Sequence, residues 1–160
     1  MEPDLAKDDK DTANLPVPPP LLLVIFLGVA LVFGWKLPIP IPFPAWMQIV
    51  GWMILLCGLG LAFSAVDAMR RVNTSPDPRT PTSEMARSGP YLLSRNPIYL
   101  GYLAVVIGLP LIFGYYWGIV LAPVVVDAYT RLIIEREEIY LKRKFGQKYL
   151  DYASKVRRWL

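Results

Sequence analysis

The chain has 160 residues, 54% of them hydrophobic, and a mean hydropathy of +0.38, which is too apolar for a soluble domain of this size. It has no histidine and a single cysteine, Cys57, so an internal disulfide is excluded, the usual general base and commonest metal ligand is missing, and no metal centre is expected. Its net charge of +4 comes from Lys and Arg that flank apolar runs, which suits anionic lipid headgroups better than nucleic acid.

Residues 1–14 are polar and mixed in charge and cannot form a core, so residues 1–19 are predicted to be a mobile tail. The first apolar run starts after Pro16, too late and after too acidic a start for a signal peptide. Pro16-Val-Pro-Pro-Pro20 is a stiff polyproline spacer. Residues 20–160 are then expected to form one membrane domain.

Four spans are predicted, at about residues 18–37, 46–67, 97–113 and 115–134. Pro38-Ile-Pro-Ile-Pro-Phe-Pro44 breaks any helix between the first two, and Trp35 and Trp46 bracket it as interfacial aromatics. The second span contains Gly51, Gly58 and Gly60, which either let helices approach closely or admit a ligand against bare backbone. Residues 73–94 form a polar loop of a length that usually carries function. Gly114 and the aromatics after it turn the third span into the fourth. Asp127 and Arg131 interrupt the fourth span at i, i+4 spacing, so they face one side and can pair; ionisable groups at that depth are expected to point into the bundle or a wet cavity. The expected fold is thus all-α and polytopic.

The chain is organised around the junction of loop and third span. Pro97 lacks an N–H and fits the first turn of a helix, and Asn96 is a good N-cap. Free N–H groups and the positive end of a helix dipole meet the interface there, beside Arg95. Two readings are open: a place for a carboxylate or phosphate, or an ordinary helix start with an anchored arginine. After residue 134 the helix becomes soluble in character. Leu141, Phe145, Tyr149 and Tyr152 make a stripe among basic residues, which reads as an amphipathic helix lying on the membrane, divided at Gly146. With four spans, every Lys and Arg except Lys36 falls on one side, so the positive-inside rule places both termini and the site in the cytoplasm.

Gly89-Pro-Tyr, then Ser94-Arg-Asn-Pro-Ile-Tyr-Leu-Gly101, then Glu137-Glu-x-x-Leu141-x-x-x-Phe145-Gly-x-x-Tyr149-x-x-Tyr152, with Val156 and Arg158 after it, resemble the isoprenylcysteine carboxyl methyltransferase family. That family belongs with the phosphatidylethanolamine N-methyltransferases among integral-membrane enzymes using S-adenosylmethionine. The resemblance covers about the C-terminal half and implies that cofactor and a lipophilic or lipid substrate; the shortness of the chain points to a prokaryotic plasma membrane as the expected setting. The family's Arg-His-Pro-x-Tyr is Arg95-Asn96-Pro97-Ile98-Tyr99 here, and the motif closes at Gly101. Asn96 can donate or accept like a neutral imidazole but cannot act as an acid or base. The resemblance implies that Asn96 and Tyr99 help bind the cofactor, that Glu137 and Glu138 are the family's acidic pair with Glu138 on the cofactor's amino group, and that Arg131 and Glu135 position the substrate and assist transfer. Gly58-x-Gly60 resembles the short glycine motif of the phospholipid enzymes.

The chemistry agrees with that resemblance. S-adenosylmethionine is a sulfonium with a zwitterionic end, needing carboxylates for its ammonium and Arg or helix N–H groups for its carboxylate. Methyl transfer is an in-line displacement in which positioning supplies much of the catalysis. A carboxylate or thiolate acceptor, as in a prenylcysteine-like or isoprenoid substrate, is favoured because it needs little base help. A phospholipid amine would need a base, and only Glu135, Asp127 or a tyrosine offers one. Two rivals remain: an NADPH-dependent membrane reductase, since sterol and steroid reductases share an Asn-Pro-x-Tyr-x-Gly element, and a non-enzymatic membrane scaffold. Against the reductase, Tyr102 rather than an acidic residue follows Gly101.

Overall fold

The structure, a computed structural model, describes residues 12–77 and 80–160. Residues 1–11 of the expected tail, and Pro78 and Arg79 of the polar loop, lie outside the described residues. The described part is all-helical, with no strand: α1 (Pro19–Lys36), α2 (Trp46–Arg71), a 3-10 turn (Gly89–Leu92), α3 (Pro97–Ile112), α4 (Trp117–Tyr129), a π turn (Thr130–Ile134), α5 (Glu135–Phe145) and α6 (Gln147–Ala153).

Among the described residues, three helices are long and apolar enough to cross a membrane: Pro19–Lys36, Trp46–Arg71, and Trp117–Phe145 running through the π turn. α3 is as apolar but has only 16 residues, about 24 Å of helix against a hydrocarbon core of about 30 Å. Its ends are fixed locally, by Pro97 at the first turn and by Gly114, whose φ of +83° suits only glycine.

α3 compensates by lying against α2. A Cβ on Gly101 would stand 2.7 Å from Ala62 Cβ and 2.8 Å from Gly58 O, and one on Gly108 would stand 2.8 Å from Gly51 O. The small residues therefore allow backbone-to-backbone contact. This decides the reading of Gly58, which packs on Gly101 and Ala104. Gly60 has open space around it on the outer side of α2.

The interior is built by Leu22, Tyr99, Val106, Val125, Tyr129, Ile133 and Ile134. The outward faces carry exposed large apolar side chains such as Val24, Val32, Trp52, Leu56, Phe63 and Val124. Apolar residues all round are what a bundle shows when its solvent is lipid.

The ends of the bundle differ. At one end Trp117 Nε1 donates to Leu37 O (2.8 Å), and Tyr116 O–H donates to Pro42 O (2.9 Å), pinning the proline-rich connection under the α3–α4 turn. At the other, Tyr129 O–H donates to Pro19 O (2.9 Å). That end gathers the start of α1, the end of α2, the start of α3 and all of α5 and α6. Of the described residues before α1, Ala13 is buried, and Leu15 and Val17 pack against the core.

The predicted break at Gly146 is present, with φ +54° and ψ −126°, so α5 and α6 are separate helices.

Candidate functional site

A cavity opens at the gathered end. The end of α2 and the loop after it, the 3-10 turn, the first turn of α3, and the inner faces of α5 and α6 wall it. The loop is folded down by Thr74, whose hydroxyl donates to Glu84 O (2.6 Å) and accepts from Glu84 N (2.9 Å), and by Thr82 N–H donating to Tyr140 Oη (3.1 Å).

Asn96 starts α3 as predicted, and its carbonyl accepts from Leu100 N (3.1 Å). Its side chain does not cap the helix. The Nδ2–H instead donates to Arg158 O (2.9 Å), and Ser94 Oγ accepts from Asn96 N (3.1 Å). The amide is committed to the returning C-terminus, which leaves the first-turn N–H groups of α3 without a side-chain cap.

Arg95 lies at the centre. Its Nη1 donates to Tyr149 Oη (3.2 Å), and its Nη2 pairs with Glu138 Oε1 (3.2 Å). Its Nε is buried without a hydrogen-bond partner among the described residues. A buried donor left unpaired carries a desolvation cost of about 1–3 kcal/mol and marks where an acceptor belongs.

The two acidic residues have different environments. Glu138 is held in a two-bond fork by Arg158, with Nε to Oε1 at 3.1 Å and Nη2 to Oε2 at 2.7 Å, in addition to Arg95. Among the described residues, Glu137 takes only the neutral Tyr99 O–H, at 2.5 Å on Oε1. α5 carries seven charged residues and lies beyond the apolar part of its helix, which ends at Ile134. Burial pushes the Glu137 carboxyl up to about 7; the Tyr99 hydrogen bond opposes this, and the nearby Glu138 charge adds to it.

Tyr99 stacks with Tyr129 (5.4 Å between ring centroids) and Tyr102 (6.0 Å), which fixes its hydroxyl. Tyr152 O–H donates to Tyr91 O (2.7 Å) and closes the floor. Burial raises the pKa of the Tyr91, Tyr149 and Tyr152 phenols, so they remain neutral donors.

The structure brings Arg95, Asn96, Pro97, Tyr99, Glu137 and Glu138 together at this cavity. It does not bring the other expected residues there. Gly101, Gly58 and Gly60 lie in or beside the α2–α3 seam, away from the cavity lining. Arg131 does not point into the bundle as expected. Its Nε donates to Asp127 Oδ1 (2.7 Å), and the two side chains are 72% and 60% exposed. One turn of helix lets the pair satisfy itself on the outer face, so neither group needs an interior partner. Glu135 is exposed and reaches the cluster only through Arg158 Nη1 at 3.7 Å. Sequence reasoning missed three contributions: the Tyr149 and Tyr152 hydroxyls, the Thr74 loop anchor and Arg158. Tyrosines where leucines would have served as stripe residues were the available signal for the first.

The sequence profile of the phospholipid methyltransferase family matches residues 46–148, from the start of α2 into α6. The chain belongs to that family. A Haemophilus influenzae relative, described only as an uncharacterized protein, is 44% identical over 43 residues, which are 27% of this chain and 64% of the relative. The chain thus spans just under two thirds of that relative's length. No solved structure matches the chain. The family match includes every cavity-lining residue singled out above except Tyr149 and Tyr152, and it excludes α1 and the returning C-terminus.

Proposed function

We propose that the chain is an integral-membrane methyltransferase that takes S-adenosylmethionine into this cavity and methylates a lipophilic acceptor. One observation carries the reading: Arg95, whose buried Nε has no partner among the described residues, and Glu137, whose carboxylate meets no cation among them, both line one cavity at a helix start. That is the donor set for a zwitterionic amino-acid end, with the carboxylate on Arg95 and the first turn of α3, and the ammonium on Glu137. Glu138, expected on the ammonium, already faces two guanidinium groups, so its part is to hold Arg95. The family match favours this reading over the reductase and the scaffold.

When bound, the cofactor supplies an electrophilic methyl on a sulfonium. The chain's residues do the rest by placement. Tyr99 orients Glu137, Glu138 and Tyr149 hold Arg95, and the folded loop covers the polar end. Arg131 and Glu135, outside the cavity and N-terminal to Glu138 on the same continuous helix, meet the acceptor's headgroup from the lipid side. A carboxylate or thiolate acceptor of an isoprenoid-like substrate needs only that placement. A phospholipid amine must also lose a proton, and Glu135 at the outer rim is positioned to take it.

α3 serves as a fourth, short span, residues 20–160 act as one domain, and α5–α6 rest on the membrane surface. The concentration of Lys and Arg at the site's end of the bundle supports a cytoplasmic site with both termini on that side. The bacterial relative suits a prokaryotic plasma membrane.

The test uses methyl-labelled S-adenosylmethionine with purified protein and vesicles containing either phosphatidylethanolamine or an isoprenoid carboxylate. Label entering one lipid pool identifies the acceptor class. Label entering neither these pools nor a total bacterial lipid extract would contradict transfer to lipid.

A further inference from the structure

The five residues after Lys155 return to the site, beyond the end of the family match at residue 148. Val156 is buried. Arg157 O accepts from Arg95 N (2.9 Å). Arg158 O accepts from both Asn96 Nδ2 (2.9 Å) and Ser94 Oγ (3.2 Å), the latter fully buried. Trp159 Nε1 donates to Thr130 Oγ1 in the π turn (3.1 Å). The segment is therefore fixed by its backbone to the start of α3 and by its indole to the base of α4.

Between those two anchors the Arg158 side chain has one direction to go. Its fork closes on both oxygens of Glu138. The same Glu138 Oε1 holds Arg95 Nη2, while Tyr149 holds Nη1. With one contact on each terminal nitrogen, the plane of the Arg95 guanidinium is set, and its Nε stays buried without a partner among the described residues. A carboxylate held by a single point contact can rotate, whereas a two-bond fork fixes its plane.

We propose that Arg158 is a positioning residue: through Glu138 it aims Arg95 at the carboxylate of the bound amino-acid end, and Asn96 holds Arg158 in place by its carbonyl. This rests on the S-adenosylmethionine reading above. Arg158 touches no ligand in this scheme. Its effect is confined to ligands that carry an amino-acid end, which separates it from a general role in folding.

The experiment compares S-adenosylhomocysteine with 5′-methylthioadenosine, which keeps the nucleoside and thioether but lacks the amino-acid end, by calorimetric titration of the full-length protein in detergent. Wild type is expected to prefer S-adenosylhomocysteine. In Arg158→Ala its affinity falls about tenfold, the scale of one charge-assisted hydrogen bond, while methylthioadenosine binding is unchanged. Arg158→Lys, which keeps the charge and the fold but not the fork, loses part of the same preference. Equal losses for both ligands in Arg158→Lys, or an unchanged preference, would overturn the positioning role and leave the cofactor reading intact. Wild type that binds neither ligand would overturn both.

Discussion

Two arginine–carboxylate groups draw on the same continuous helix, one through Asp127 and Arg131 and the other through Glu138, and they differ in every respect that matters for a site. Arg131 and Asp127 pair across one turn of one helix with both side chains largely in the open. Arg95, Glu138 and Arg158 come from the start of α3, the middle of α5 and the C-terminus, and Arg95 and Glu138 are 16% and 18% exposed. The first group satisfies itself locally and constrains nothing else. The second joins three chain segments around a cavity and leaves one buried donor over. Charge pairs gain leverage with sequence separation and enclosure, because each bond then fixes the relative position of separate elements in a medium where water screens it less.

The sharpest way to break this contrast is Arg95→Ala. It removes the guanidinium proposed to hold the ligand, the tie to Tyr149 and one partner of an enclosed carboxylate together. S-adenosylhomocysteine affinity is expected to fall by about 100-fold or more, the scale of two charge-assisted bonds, as read by calorimetry.

Gly101→Ala attacks the enclosed group from beneath. The new Cβ meets Gly58 O and Ala62 Cβ in the seam that seats α3. It should cost about 1–3 kcal/mol, as overpacking does, lowering the detergent melting temperature. Once folded, the variant should bind S-adenosylhomocysteine like wild type, because Gly101 does not line the cavity.

Glu137→Gln sharpens the comparison through pH. The Glu137 carboxyl is raised to about 7, first by burial, so it is increasingly protonated below that pH and cannot hold an ammonium ion. Wild-type affinity should therefore strengthen as pH rises from about 6 to about 8, roughly tenfold overall, while the variant stays weak and flat. A pH-independent wild type would remove Glu137 from the ammonium site.

Arg131→Ala is expected to do least to binding and stability. Melting temperature and S-adenosylhomocysteine affinity should match wild type, since the pair it breaks lies within one turn of one helix and ties no other element to it. Only turnover should fall, because the proposed part of Arg131 is with the lipid acceptor. A loss of cofactor affinity there would show that the outer pair reaches the cavity after all.

Local features of the fold were legible in the sequence. Pro97 and Gly146 mark a helix start and a helix break through their own backbone limits, and both hold. The apolar runs gave the helices, but hydropathy does not measure where proline and glycine clip α3 to 16 residues. For the site, the two separated motifs named six residues that do meet at the cavity. Asn96 was placed correctly at the helix start but given the wrong partner. An N-cap propensity is local, whereas the carbonyl of Arg158 that claims its amide lies 62 residues away. The same kind of distance hid the part played by Arg158, which the motif named but whose partner Glu138 lies 20 residues away. The hydroxyls of Tyr149 and Tyr152 were hidden by their own rings, which read as apolar stripe until the partners of their oxygens were known.

The central claim is that one cavity holds S-adenosylmethionine between Arg95 and Glu137. Calorimetric titration of the detergent-purified protein with S-adenosylmethionine, S-adenosylhomocysteine and NADPH tests it most directly. The account predicts one site for each of the first two, lost in Arg95→Ala, and no binding of NADPH. NADPH binding alone would hand the cavity to the reductase reading, and binding of none of the three would contradict a cofactor site there.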